Sequence, residues 1–227
     1  LGGYRTTVKA VVSDTATPAV GAKQAAKDTR ALLDRGAAGV LVEVGTQDPE
    51  LDAERVRQLR EAVPDGAWFE VSGAGRYDPA TALALGRLFA EEFSADGFSD
   101  PLRSDDLPGL ARLSDKLELA LSVGALYDRP DDYLRLLAQG GVSAVRVDPT
   151  RLGGLTPARK VALAAELRHV AVVPVRLPEV GVHLCCGAVL GRVGEYVDWF
   201  ADLFAGGPRF ADGQLVAPDA PGLGLEL

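Results

Sequence analysis

The sequence predicts an α/β fold closed into a TIM-type barrel. Three observations carry this: eight short runs rich in apolar and β-branched residues, seven intervening stretches with helical spacing, and no Gly-x-Gly-x-x-Gly loop opening the first helix. Such alternation builds right-handed βαβ units around a parallel sheet, and eight strands with seven helices close naturally into a barrel. An open doubly wound sheet would carry its phosphate loop at the first strand-to-helix turn, where none is written.

Taken in order, residues 8–12 form a β-branched run, and 19–33 place Ala22, Ala25, Ala26, Thr29, Leu32 and Leu33 on one helical face before Gly36 stops it. The second strand is expected over 40–44 and the second helix over 52–63, with Val56, Leu59 and Val63 aligned and Pro64 beyond. Strand three covers 68–72, followed by an Ala- and Leu-rich helix from Pro79 to about Phe93. A short fourth strand, 97–99, ends at Asp100-Pro101, and its helix spans 107–113. Residues 117–122 read as strand five, and 130–139 as a helix with Pro in its first turn and Gly140-Gly141 after its last. The run Ala-Val-Arg-Val-Asp148-Pro-Thr-Arg-Leu-Gly153-Gly154 is a strand that delivers one carboxylate to a loop. Helix 156–167, strand 170–175, a small-residue helix at 182–191 and a last strand at 195–199 complete the pattern.

A chain of 227 residues buries a substantial single core. A net charge of −8 and a pI near 4.9 argue against nucleic acid, because no basic stripe is available to displace counterions from phosphates. No run approaches the roughly 20 apolar residues of a membrane span, and no signal pattern opens the chain. Only Cys185 and Cys186 are present, so no disulfide framework exists and the cytoplasm is the expected compartment. The chain lacks methionine, so a preceding segment is expected.

Function in such a barrel sits at the C-terminal ends of the strands. Those positions read Asp14, Glu43, Ser72, Ser99 with Asp100, Gly124-Ala125, Asp148, Val175-Arg176 and Glu195.

Particular stretches resemble the enolase superfamily, in its mandelate racemase and muconate lactonizing branch. They are Leu1-Gly2-Gly3, the Asp52 to Val63 helix, Asp148 with Arg151 and Gly153-Gly154, Pro178-Glu179-Val180 before His183-Leu184, Glu195, Asp212-Gly213, and Asp219-Ala220-Pro221-Gly222-Leu223-Gly224. The resemblance runs from end to end. It implies a modified (β/α)7β barrel over 1–227 with a C-terminal tail, and an α+β capping domain upstream. It also implies Mg²⁺-dependent removal of a proton α to a carboxylate, with three acidic ligands on strands three to five.

This chain departs from that pattern. The Asp-x-Asn of strand three falls on Ser72-Gly73-Ala74, the strand-four glutamate on Ser99, and the strand-five glutamate on Ala125. The Lys-x-Lys pair of strand two falls on Leu41 and Glu43, and the histidine that partners the strand-six aspartate falls on Val175. Asp148 and Glu195 remain at the positions of the dyad aspartate and of the acid that hydrogen-bonds substrate. The expectation is therefore a barrel without metal or other cofactor, with Glu43, Ser72, Ser99 and Arg176 as candidate substrate-binding residues.

Each survivor has a structural alternative. Asp148 can pair with Arg146, Arg151 or Arg176, and Glu195 with Arg192. His183 and the two cysteines read as packed residues, and Gly73 and Gly75 as a turn. Glu43, facing inward, must meet water, Arg176 or a ligand. Two functional readings follow. One is a divergent, non-catalytic barrel that binds a small carboxylate or serves in assembly. The other is a metal-independent isomerase or lyase working through Asp148, Glu195, Glu43 and Arg176. An uncapped barrel mouth would expose apolar surface and favour a homo-oligomer.

Overall fold

A computed structural model describes residues 2–13, 18–46, 48–191, 193–200 and 202–226. Leu1 of the expected linker, Asp14 of the mouth ring and Arg192, the expected partner of Glu195, lie outside the described residues.

The strands are β1 (Thr7–Val12), β2 (Gly39–Glu43), β3 (Trp68–Ser72), β4 (Gly97–Ser99), β5 (Ala120–Val123), β6 (Ala144–Val147), β7 (Ala171–Pro174) and β8 (Val193–Tyr196). The helices are α1 (Ala22–Asp34), α2 (Pro49–Arg60), α3 (Pro79–Glu91), α4 (Leu107–Ser114), α5 (Pro130–Gln139), α6 (Leu155–Glu166) and α7 (Pro178–Gly187). Strands β1 to β7 pair in sequence order, all parallel, and β8 pairs parallel with β1 through Val11↔Glu195. A bridge between Val172 and Gly191 joins β7 to the approach of β8 and closes the barrel. This is the expected (β/α)7β architecture.

Boundaries moved where caps overrule apolar spacing. Helix α2 starts at Pro49 rather than at 52, because the Asp48 carboxylate accepts the Glu50 and Leu51 N–H groups and Pro occupies the first turn. Helix α7 starts at Pro178 for the same positional reason and ends at Gly187, where Ala188 turns extended; the expected 182–191 lay too late. In the expected fifth strand, Leu117 to Leu119 lie before the ladder begins at Ala120. The C-terminal tail carries structure that the apolar pattern did not indicate: β10 (Arg209–Ala211) and β11 (Gln214–Val216) form a hairpin on β1, and β9 (Ala205–Gly206) pairs with β12 (Leu225–Glu226). Strand β11 lies beside Thr7 to Lys9, on the edge where β2 lies beside Val11 and Val12.

Period-two alternation divides each strand. Val40, Val42, Phe69, Val71, Phe98, Leu121, Val123, Val145, Val147 and Val172 turn outward and are buried under the helices, with Phe98 edge-on to Phe89 of α3 at 5.4 Å. A second cluster seats Val8 and Ala10 on Val182, Cys185 and Cys186 of α7. Burial pushes the Cys185 thiol up to about 12, as befits a packing residue rather than a nucleophile. The His183 ring reaches Leu223 O of the tail at 3.2 Å. Both the cysteines and this histidine are therefore structural. Inward-facing side chains fall in layers, and two of these layers are unusual for a barrel: a charged middle and a bottom of mostly small residues.

Among the described residues no helix is long and apolar enough to cross a membrane.

Candidate functional site

Arg146 sits at the centre of the barrel. Two residues before Asp148 on β6, it faces inward with its side chain only 7% exposed. Its Nε lies 3.3 Å from Asp100 Oδ2, one terminal nitrogen 3.7 Å from Glu70 Oε1, and the other 3.7 Å from Glu195 Oε2. Three carboxylates thus surround one guanidinium. Glu70 is held further by the Ser122 hydroxyl, donating at 2.6 Å, and by the Trp68 indole N–H at 2.9 Å. Asp100 accepts the Gly124 N–H at 2.8 Å. Burial opposes the charge of Arg146, but Glu195, Glu70 and Asp100 together outweigh it and push its pKa up.

Above this network a cleft of about 70 Å³ opens at the barrel mouth, lined by Glu43, Ser72, Asp100, Arg146, Arg176 and Glu195 with Trp199 at the rim. By the measure in which one water takes about 10–15 Å³, it has room for about five waters. Arg176 follows β7 and keeps 43% of its side chain exposed, with Nε 3.2 Å from Asp148 Oδ2 and its backbone N–H donating to Glu195 Oε2 at 3.1 Å. Ala74, Asp100 and Arg176, each just past a strand end, all have positive φ. Strained non-glycine backbone concentrates where a site over-determines it, and here it rings the mouth.

The expected site residues are only partly brought together. Asp148 is fully buried, and its Oδ1 accepts the Thr150 N–H at 2.9 Å and the Thr150 hydroxyl at 2.6 Å, so it caps its own turn while pairing with Arg176. Glu43 meets Arg76, at 3.7 Å, rather than Arg176. Ser72 lines the cleft; Ser99, its neighbour across the β3–β4 ladder, is buried and outside the lining, its hydroxyl donating to Val71 O at 3.3 Å. Glu70 and Arg146 were not read from the sequence as site residues, although stepping back two positions from Ser72 and from Asp148 finds them on the inward face.

The network has a pH signature. Burial raises the Asp100 carboxyl above the ordinary range, against the pull of Arg146 and of the Gly124 N–H and with the help of Glu70. A folded pKa above the unfolded value of about 3.9 gives stability that is full below that value and is lost as pH rises through the folded pKa. Asp100→Asn removes this dependence, so the wild type should lose stability relative to the variant as pH rises above about 4. Urea midpoints of the two proteins from mildly acidic to mildly alkaline pH check this; a constant difference would contradict it.

Similar proteins place the chain in context. The L-talarate/galactarate dehydratase of Salmonella typhimurium is 27% identical over 194 residues, covering 86% of this chain and 48% of that protein. Muconate cycloisomerase 1 of Rhodococcus opacus is 26% identical over 199 residues, covering 82% and 52%. The chain thus spans about half the length of these curated relatives. The crystal structure of L-talarate dehydratase from Polaromonas sp. JS666, complexed with Mg and L-glucarate, superposes with a TM-score of 0.91 at 27% identity over 99% of this chain and 63% of that one. That of the Salmonella enzyme, liganded with Mg and L-lyxarohydroxamate, gives 0.93 at 25% identity over 100% and 57%.

These structures correct the expectation of no cofactor, since relatives this similar were crystallised with magnesium. The residues of this chain are nonetheless a poor fit for that ion. Magnesium asks for hard oxygen donors in near-octahedral geometry, and among the described residues no group of three or more His, Cys, Asp or Glu side chains is placed to hold a metal. Asp100, Glu70 and Glu195 converge instead on Arg146. A family profile described as "Enolase C-terminal domain-like" matches residues 24–227, and the chain belongs to that family.

Proposed function

We infer that the barrel mouth binds a small hydroxylated carboxylate anchored on Arg176, and that the described residues do not perform the α-proton abstraction of the enolase superfamily. One observation carries this reading: among the described residues, each carboxylate at the mouth already has a partner. Glu43 faces Arg76, Asp148 faces Arg176 and the Thr150 hydroxyl, Glu195 takes the Arg176 N–H, and Asp100 takes the Gly124 N–H beside Arg146. A general base must reach the proton it removes, and these acids are turned toward cations and N–H groups.

Arg176 is different. Asp148 engages its Nε, and a guanidinium has five N–H donors. Those that remain lie on a half-exposed side chain at the cleft, in the fork geometry that suits a carboxylate. The cleft admits a carboxylate head and its neighbouring carbon, while Ser72 offers a hydroxyl to an α-OH.

Sugar diacids are the first ligands to try, because L-talarate, galactarate and L-glucarate are named for the relatives. Titrated calorimetrically into the 227-residue chain, galactarate should bind, Arg176→Ala should weaken it by more than about tenfold, and Arg176→Lys should fall between, since a point charge replaces the fork. In D₂O with added Mg²⁺, the α-proton should persist by NMR. Deuterium incorporation or a dehydrated product would overturn the reading, as would binding indifferent to Arg176.

A further inference from the structure

The opposite end of the barrel holds a larger cavity than the mouth. TIM-type barrels ordinarily fill this end with bulky branched side chains and use it for stability. Here Ala120, Ala144 and Ala171 occupy the first inward positions of β5, β6 and β7. They leave a recess of about 600 Å³, well above the mouth cleft and within the 300–1,000 Å³ usual for small-molecule sites.

Its chemistry is specific. The walls are apolar, with Val173 and Val193 beside the alanines. Trp68 stands at one side: a Cβ on Gly97 would lie 3.3 Å from its ring, so the absence of a side chain there makes room for the indole. Glu70 and Ser122 form the floor and are bonded to each other. At the opening, Arg5 and Lys9 supply two cations. Arg5 is tied to the carbonyls of Gly191 and Val189, whereas Lys9 is exposed and in no ion pair among the described residues. Two cations against one carboxylate leave a local excess of one positive charge, in a protein whose net charge is −8.

We propose that this N-terminal recess binds a small organic monoanion with an aromatic or branched apolar body, its carboxylate on the Lys9 ammonium and its body between the Trp68 ring and the alanine wall. A dianion is disfavoured because Glu70 closes the floor. A neutral body of the same shape loses the one unpaired charge that the site presents. The recess lies across the Arg146 layer from the mouth, so the two sites are independent.

The probe is 2-naphthoate, titrated calorimetrically into the 227-residue chain, with 2-acetylnaphthalene as the neutral counterpart. The expected results are saturable binding of 2-naphthoate, a loss of about tenfold on Lys9→Met or on removing the probe's charge, no binding to Ala144→Leu, and no competition from galactarate. Circular dichroism melts accompany both variants, and should Ala144→Leu fail to fold, Lys9→Met decides, because its side chain is exposed. Absence of binding, equal affinity in Lys9→Met, or displacement by galactarate would each overturn the proposal, the last by assigning the probe to the mouth.

Discussion

Arg146→Ala is expected to destabilise the barrel by about 3–5 kcal/mol, the usual loss when one partner of a buried ion pair is removed. The variant leaves Glu70, Asp100 and Glu195 facing one another across the vacated guanidinium, each of them close to fully buried. The loss should grow with pH, because burial favours the protonated form of the Asp100 carboxyl, which at low pH no longer repels its neighbours. Urea unfolding gives the magnitude as a shift in midpoint at unchanged slope. Combining Arg146→Met with Glu70→Gln and Asp100→Asn removes two of the three uncompensated carboxylates and leaves Glu195 the Arg176 N–H; it should restore most of the stability, since replacing buried ionic groups with neutral residues is often close to neutral. If the triple variant were as unstable as Arg146→Ala, the cause would be lost packing rather than charge.

That prediction depends on residues whose type was plain in the sequence but whose meeting was not. The fold was legible because barrels repeat a local rule: an apolar run, a turn, a helical face, seven times over before a last strand closes the ring. Strands β3 and β4 and helix α5 fall where the spacing put them, since Pro or Gly punctuates their ends. Helix α7 slipped by four residues because Pro178 starts it regardless of the apolar spacing that follows. The site was harder to read. Asp148 and Glu195 were visible as carboxylates at strand ends, but whether either works on a substrate depends on what each faces across the barrel, and that is set by the registers of five strands. Glu70 pairs with Gly97 on β4 and reaches Ser122 on β5, fifty-two positions away. Non-local register is the information that a one-dimensional pattern lacks. Ser72, Ser99 and Ala125 at the ligand positions read as a barrel without a cofactor, and the relatives crystallised with magnesium overturn that expectation.

Asp52→Ala should cost about 3 kcal/mol or more, although Asp52 touches no ligand site. Its carboxylate is fully buried at the start of α2, where it accepts the Gly45 N–H at 3.1 Å, the Thr46 N–H at 3.0 Å and the Tyr77 hydroxyl at 2.6 Å. Hydrogen bonds to a charged acceptor are worth about 1.5–3 kcal/mol each, and their removal here leaves buried donors unsatisfied. Burial and the Asp52 carboxylate both hold the Tyr77 hydroxyl protonated, so Tyr77 remains a donor across the accessible pH range. Gly45 sets why the arrangement needs a carboxylate: its φ is +97° and a Cβ there would lie 2.6 Å from Gly73 O, so the β2 to α2 turn is forced tight against the β3 turn with its N–H groups pointing inward. Asp52→Asn keeps the shape but only one accepting oxygen, and should lose about half as much; Tyr77→Phe removes a single donor and should lose about 1.5 kcal/mol, the low end of that range because two N–H donors still hold the carboxylate. The same turn carries Glu43 and holds Arg76 within 3.5 Å of Gly45 O, so Asp52→Ala should also weaken galactarate binding, by less than Arg176→Ala does. Denaturation midpoints and calorimetric affinities for the three variants give both orders, and an Asp52→Ala protein as stable as Tyr77→Phe would show that the turn is held by its backbone alone.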